Sequence, residues 1–489
     1  MNIAIGYTDL LLISPMIVLF LTSLLPITIK VFRGNSEPPP ALNLSLALFG
    51  ILVAIVLLII PAGAGTPAFN KSLVFDGITL WMGVIGLASV GVAMIMMYEN
   101  PSTSGNQFSE LIFLGLNSAI GMLILVSAMD LLMIFIGLEL MSLSLYLMIA
   151  MSHEERVSKE AALKYFVLGS FATAIFLYGV AFIYGSTGGT NILGFFENAA
   201  ELVKTSRLFL FGITFVILGF CFKVSIAPFH AWSPDVYQGA PTPHAAFMAT
   251  AVKTVSFAAF LRIIATKALI GSDHLFDILQ WLAVITMIVG NTAAIIQNNF
   301  KRMIAYSSIS HSGYLLVGVI TAGVSDNGAF GASGVIFYLM SYAFMTLGAL
   351  AVASVLEKSE SSIVNIDDLA GLAKQRPVLA FCLTIFLLSL AGVPPALGFF
   401  SKFYLFNAAI GEGLLWLAIW GVLNSVIAVY YYLRPIVVMY MKEGNQEGLA
   451  APRVNATAIT TMVLAAAILL MGLVSGPIFT AVENSLSKI

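Results

Sequence analysis

Apolar runs of about twenty residues follow one another along nearly the whole chain, separated by short polar stretches that hold most of the charge. A helix needs a run of about that length to cross the hydrocarbon core of a bilayer. Fourteen runs are legible, at about 9–30, 41–61, 74–98, 108–127, 129–151, 160–185, 207–240, 243–268, 275–298, 303–323, 331–356, 377–410, 414–441 and 455–480. The pattern predicts an all-α polytopic membrane protein of 14 transmembrane helices. The runs at 207–240 and 377–410 are about ten residues too long for one straight crossing, and both contain proline.

Pro228 and Pro234 lie in one long run, Pro394 and Pro395 in the other. Each proline removes a backbone donor and clashes with the preceding turn. Non-helical backbone at membrane depth is tolerated only when buried in protein or lining a wet cavity. Each break is therefore expected to have hydrated surroundings, with a lysine within two helical turns. IAPFHAWSPDVY (226–237) and VPPALGFFSKFY (393–404) share a proline followed nine residues later by tyrosine, which sets Asp235 in register with Lys402. Helices 4–8 order like helices 9–13, and five spans per unit reverse the orientation of the second, as in transporters built from inverted repeats. The division expected is 1–107 for helices 1–3, 108–270 and 271–441 for two inverted five-helix repeats with discontinuous helices 7 and 12, and 442–489 for the last helix.

Composition agrees with a membrane-embedded chain. Hydrophobic residues make up 60% of the 489 and charged residues 9%, against roughly 25% charged in soluble domains. A net charge of −2 gives nucleic acid no footprint. Cys221 and Cys382 lie in apolar runs and fit buried thiols. No C-x-x-C, P-loop or G-x-G-x-x-G pattern stands out, so no cofactor is expected in this chain. The first run lacks a basic flank and a cleavage site, and reads as a span rather than a signal peptide. With both termini outside, inner loops would hold the twelve residues Lys30, Arg33, Arg156, Lys159, Lys164, Lys301, Arg302, Lys358, Lys374, Arg376, Lys442 and Arg453, and outer segments the five residues Lys71, Lys204, Arg207, Lys267 and Lys488. That bias sets both termini on the periplasmic side.

The remaining basic residues fall inside spans, where a charge costs at least about 2.5–3.5 kcal/mol and is a functional hypothesis by default. Glu139 lies mid-way along DLLMIFIGLELMSLSLYLMIA, Lys223 before the first break, Lys253 ten residues into its span, Lys402 after the second break and His311 eight residues into span ten. Burial favours the neutral form of a lysine and a nearby carboxylate the charged form, so such a row could exchange protons near neutral pH with Glu139 as modulator. Plainer readings stand beside this. Arg262 and Arg434 would snorkel to a surface. A lone buried histidine such as His311 is more often a satisfied core residue than a relay. His230 and Asp235 would satisfy the broken helix ends. Glu139 and Lys223 could form a static ion pair. Lys253 and Lys402 resist a plain reading, because each is deep and has no acid in its own span.

KVSIAPFHAWSPDVYQGAPTP followed by Lys253, KRMIAYSSISHSGY (301–314) and SLAGVPPALGFFSKFY (389–404) resemble the antiporter-like membrane subunits of proton-pumping NADH:quinone oxidoreductase, respiratory complex I. PDVYQGAPTP and the chain length fit the N-type members. The resemblance implies proton translocation coupled to quinone reduction. Glu139 and Lys223 match a glutamate–lysine pair of helices five and seven. Lys253 matches the central lysine of helix eight and Lys402 that of helix twelve. His311 matches the histidine between them. It also implies that NADH, FMN, iron–sulfur clusters and quinone bind in other subunits, that subunits K and M are the neighbours, and that the chain resides in the bacterial inner membrane among lipids. A subunit of an Mrp-type Na⁺/H⁺ antiporter would share the charged axis, and a structural membrane subunit with inert lysines is the third reading.

Overall fold

The computed structural model describes residues 6–60, 65–103, 105, 107–151, 156–196, 199–265, 273–325, 329–357, 365–443 and 455–486. Lys267, Lys358, Arg453 and Lys488, which enter the charge count above, lie outside the described residues. The helices begin with α1 Tyr7–Phe32, α2 Pro40–Ile59, α3 Gly77–Glu99, α4 Phe108–Ser127, α5 Leu131–Met151 and α6 Arg156–Thr187. Two short helices follow, α7 Ile192–Phe196 and α8 Ala199–Thr205, then α9 Arg207–Lys223, α10 Trp232–Gly239, α11 Thr242–Phe247 and α12 Lys253–Ala265. The rest are α13 Asp273–Ile295, α14 Phe300–Val324, α15 Ala329–Leu356, α16 Leu372–Gln375, α17 Pro377–Ala391, α18 Leu397–Gly411, α19 Leu415–Met441, α20 Ala456–Leu473 and α21 Ser475–Leu486. A π-helical turn, Met248–Val252, joins α11 to α12 without a break in the rod.

Among the described residues, 12 helices are long and apolar enough to cross a membrane, with Thr242–Ile264 counted as one. The two overlong runs are instead pairs of shorter helices, α9 with α10 and α17 with α18. Local chemistry sets several starts. The side chains of Asp76, Ser206, Asn299 and Asn455 accept from the backbone amides of the first turns of α3, α9, α14 and α20.

Besides the helices, Thr66–Ala68 and Leu73–Phe75 form a small antiparallel ribbon. Its turn is made by Phe69, Asn70 and Lys71 at positive φ, of which only asparagine favours that conformation. The last apolar run does not continue to 480, because α20 stops at Val474 and α21 starts anew. Pro477 there lacks the amide a continuing helix would use.

The closest helix crossings are made where glycine replaces a side chain. A Cβ on Gly121 of α4 would lie 2.9 Å from the Gly137 carbonyl of α5, and one on Gly179 of α6 would lie 2.7 Å from the Gly212 carbonyl of α9. On α13, a Cβ at Gly290 would meet the Ser310 amide of α14 at 2.5 Å. Between apolar helices in an apolar solvent, such close backbone approach supplies the packing that a hydrophobic effect cannot. The stretch Thr242–Ile264 is entirely buried, and α14 and α15 nearly so, whereas α1, α2, α6, α19 and α20 keep most of their length on the outside. The central rods are those that carry Lys253 and His311.

Candidate functional site

Four ionisable side chains lie within the bundle. Lys223 is the last residue of α9, and its Nζ donates to Ser142 Oγ of α5 at 2.6 Å and to Tyr165 OH of α6 at 3.4 Å. Lys253 is buried, and its Nζ donates to the carbonyl of Ser308 and to Ser308 Oγ at 2.5 Å. His311, one turn along α14 from Ser308, is buried with both ring nitrogens engaged: Nδ1 with Tyr338 OH at 2.6 Å and Nε2 with Tyr432 OH at 3.0 Å. Tyr432 OH is also bonded to Ser307 Oγ. Lys402 is buried, and its Nζ donates to the Leu390 and Ala391 carbonyls at 3.1 and 3.0 Å.

Aromatic rings fill the spaces between these groups. The Lys253 ammonium lies 5.2 Å from the centre of the Tyr342 ring, and that of Lys402 5.3 Å from Tyr314. His311 stands between those rings, 5.0 Å from Tyr342 and 5.6 Å from Tyr314, and the charges of both lysines act on it. Among the described residues, Lys253 and Lys402 make no ion pair, so each ammonium is held by neutral oxygens and ring faces. The π-helical turn ends next to Lys253, a departure often found at functional positions.

Other expected partners are placed differently. Glu139 and Lys223 do not form a contact ion pair; Lys223 is taken by Ser142, one turn along α5 from Glu139, although the Glu139 charge still acts on it. Asp235 does not satisfy a broken helix end. It accepts from Arg302 Nη1 at 2.7 Å and Lys164 Nζ at 3.1 Å, in a partly exposed cluster. His230 is half-buried with Nδ1 unpartnered. Arg434 stays near a helix end, donating to Gln297 O and Asn298 Oδ1. Arg262 does not snorkel: it is 3% exposed and grips Asp76 through two bonds of 2.7 and 2.9 Å, with Thr79 Oγ1 and Val126 O as further acceptors. Asp76 lies far away in sequence, so the span carrying Arg262 gave no hint of a partner.

The two breaks share one backbone pattern, each position of the second lying 167 residues after its counterpart. Ile226 N bonds Cys221 O at 2.8 Å and Phe229 N bonds Ile226 O at 2.7 Å; Val393 N bonds Leu388 O at 3.0 Å and Ala396 N bonds Val393 O at 3.2 Å. Pro228 and Pro395 each follow a cis peptide bond, and Ser225 and Gly392 each have positive φ. Side chains take up several of the freed backbone groups at the first break. Thr286 Oγ1 accepts from Ala227 N, Trp232 Nε1 donates to Phe222 O, and Ser312 Oγ donates to Val224 O.

The ends of the row meet the outside of the bundle. Lys223 lines a narrow cleft with Leu138, Ser142, Tyr146 and Phe176. Lys402 borders a groove of about 390 Å³ lined by Phe399, Phe403, Phe406 and Val426. The hydroxyls of Ser142, Ser308, Tyr338 and Tyr432, which complete the row, carry no sequence signal of their own. Among the described residues, no three His, Cys, Asp or Glu side chains converge as metal ligands.

Residues 128–428 match the family model described as NADH:quinone oxidoreductase/Mrp antiporter, TM. NADH-quinone oxidoreductase subunit N of Bdellovibrio bacteriovorus is 77% identical over 486 residues, covering 99% of this chain and 100% of that protein. Subunit N of Trichlorobacter lovleyi is 41% identical over 451 residues, covering 91% of this chain and 90% of that one. A chain of respiratory complex I from Thermus thermophilus with bound aureothin superposes with a TM-score of 0.80 at 29% identity, covering 96% of this chain and 99% of that one. A chain of the Mrp complex from Dietzia sp. DQ12-45-1b shares the fold, with a TM-score of 0.83 at 20% identity over 98% of this chain and 96% of that one. The chain belongs to the NADH:quinone oxidoreductase/Mrp antiporter transmembrane family, among its N-type subunits.

Proposed function

We propose that this chain is the antiporter-like membrane-arm subunit N of a proton-translocating NADH:quinone oxidoreductase, and that protons move through it along Lys223, Lys253, His311 and Lys402. The observation that carries the reading is the buried row of Lys253, His311 and Lys402, joined through Ser308 and the rings of Tyr342 and Tyr314 and reaching the groove at Lys402, with Lys223 lining its own cleft. Groups so placed titrate as a set. Quinone reduction elsewhere in the complex would shift the position of Glu139 relative to Lys223. The lysine would then lose its stabilisation as a cation and pass charge inward, with Tyr338, Tyr432 and water relaying protons around His311. His230 and Asp235 take no part in this row; Asp235 pairs with Arg302 and Lys164 instead.

The wider arrangement is read the same way. The chain would have fourteen spans, with α9–α10 and α17–α18 counted as the broken seventh and twelfth. Two inverted units would occupy 108–270 and 271–441, flanked by 1–107 and 442–489. The repeated hydrogen-bond pattern at the two breaks supports this, as do the matching glycine crossings of α4 on α5 and α13 on α14. Lys223 and Lys402, on opposite sides, would face the neighbouring subunits K and M, within the bacterial inner membrane and with both termini in the periplasm. NADH, FMN, iron–sulfur clusters and quinone would bind to other subunits.

The test is Lys253→Ala in the assembled complex, with proton pumping in inverted vesicles, quinone reduction and assembly measured together. Pumping is expected to fall by about tenfold or more. Unchanged pumping per electron would make the lysines inert and the subunit structural. An Mrp-type antiporter would instead purify without quinone oxidoreductase activity.

A further inference from the structure

Glu357 caps α15 and anchors a second buried ionisable cluster. Its side chain is 1% exposed and that of Lys301 is 0% exposed. Glu357 Oε1 accepts from Thr242 Oγ1, and from Lys301 Nζ at 3.5 Å; Oε2 accepts from Asn100 Nδ2 at 2.5 Å. Lys301 Nζ also donates to Ala240 O at 2.9 Å, and Asn100 Nδ2 to Ser354 Oγ at 3.0 Å. The cluster thus joins the end of α3, the start of α11, the start of α14 and the end of α15. Lys301 was counted from sequence as a loop charge, and Glu357 drew no attention. Both are interior.

Three buried side chains with polar atoms lacking a protein partner lie on α11 and α15, between the levels of this cluster and Lys253. His244, two residues beyond Thr242, is fully buried, and neither ring nitrogen has a hydrogen-bond partner. Thr346 Oγ1 and Tyr342 OH of α15, both 1% exposed, are likewise unpartnered. Tyr342 OH approaches Ser308 and Thr346 without reaching hydrogen-bonding geometry with either. Ser308 is the residue that binds Lys253.

The elements run in opposite directions, because Thr242 meets Glu357 while Lys253 meets the Tyr342 ring. At 3.6 residues per turn, Tyr342, Thr346 and Glu357 fall within about 60° of one another around α15. Glu357 and Tyr342 are separated by about 22 Å of that helix, at 1.5 Å per residue. Native proteins leave few buried polar atoms unpaired, and where several cluster, ordered water is their usual partner.

We propose that Glu357 is a proton-accepting residue of this subunit, and that it loads Lys253 through water held by His244, Thr346 and Tyr342. The inference rests on the reading of Lys253 as a proton carrier. A proton from the adjacent aqueous side binds a Glu357 carboxylate oxygen. It moves along the hydroxyls and water, and ends on Lys253 Nζ. Glu357 returns to its carboxylate form beside Lys301, so the cluster is reset after each transfer.

The experiment uses the complete complex in inverted vesicles and compares Glu357→Gln, Glu357→Asp, Thr346→Val and Lys253→Ala. Glu357→Gln, which keeps an acceptor oxygen but carries no acidic proton, is expected to slow coupled turnover about tenfold or more. Glu357→Asp should retain most of it. Thr346→Val should slow turnover several-fold with assembly unchanged. Equal losses in the Gln and Asp variants would mark Glu357 as structural and overturn the proposal. Wild-type rates in Glu357→Gln and Thr346→Val, with Lys253→Ala inactive, would overturn it while leaving the reading of Lys253 intact. Wild-type pumping in Lys253→Ala would remove both. If Glu357→Gln does not assemble, Thr346→Val decides alone.

Discussion

At the break between α9 and α10 the residue of left-handed backbone is Ser225; at the break between α17 and α18 it is Gly392. The amides after them bond back to the same relative carbonyls. What differs is the source of the remaining hydrogen-bond partners. The first break is buried from Ser225 to Ala227, and α13 and α14 serve it through Thr286 and Ser312. At the second, Pro394, the counterpart of buried Ala227, is exposed, while Pro228 and its counterpart Pro395 are both exposed. There the Ala391 carbonyl, counterpart of the Val224 carbonyl held by Ser312, is held by Lys402. One break is closed by a neutral hydroxyl from a neighbouring helix, the other by a cation from its own second half. A donor that can lose its proton makes the second break sensitive to charge. The first stays fixed whatever the charge on Lys223.

The largest effect that would sharpen this contrast is expected from Lys402→Ala. It removes the cation and strands two carbonyls, so pumping in inverted vesicles should fall about tenfold or more. Detergent-extracted complex should lose about 1–3 kcal/mol of stability in thermal unfolding. Ser312→Ala strands one carbonyl and should leave pumping within about twofold. Equal losses in the two would abolish the distinction.

Next comes the pair Gly392→Ala and Ser225→Gly. A Cβ at Gly392 would sit 3.1 Å from Lys402 Cδ and 3.2 Å from Nζ, in a backbone conformation that costs about 1–2 kcal/mol for other residues. Coupled turnover should drop at least by about half. Ser225→Gly relieves that conformation and should be neutral or slightly stabilising. A larger loss from Ser225→Gly than from Gly392→Ala would reverse the roles given to the two breaks. The smallest effect is expected from Trp232→Phe. It removes the indole donor to Phe222 O and should cost about 1 kcal/mol, with pumping per electron unchanged.

Much of this was legible in the chain, for stated reasons. Bilayer thickness dictates run length, so the apolar runs mark their helices, and proline marks both breaks because it cannot donate. Lys253, His311 and Lys402 stand out because charge is costly in apolar runs. Other features were hidden. Arg262 reads as a snorkelling residue, since Asp76 is 186 positions away in sequence. Lys301 reads as a loop charge, since it lies at a helix start, and Glu357 carries no sequence signal of its own. Ser308, Tyr338 and Tyr432 are ordinary residues in apolar helices, and nothing in their spacing connects them to a lysine.

The sequence by itself determined which segments enter the membrane, where two of them break, and which ionisable groups go with them. Those outcomes depend on local transfer energies and on the chemistry of proline, and both are properties of short stretches. The tertiary structure alone decided who holds each charge: Ser142 rather than Glu139 at Lys223, Ser308 at Lys253, two tyrosines at His311, and the end of its own broken helix at Lys402. Hydrogen bonds reach about 3 Å, and partners tens or hundreds of residues apart come within that reach only when helices cross. Glycine-lined contacts set those crossings.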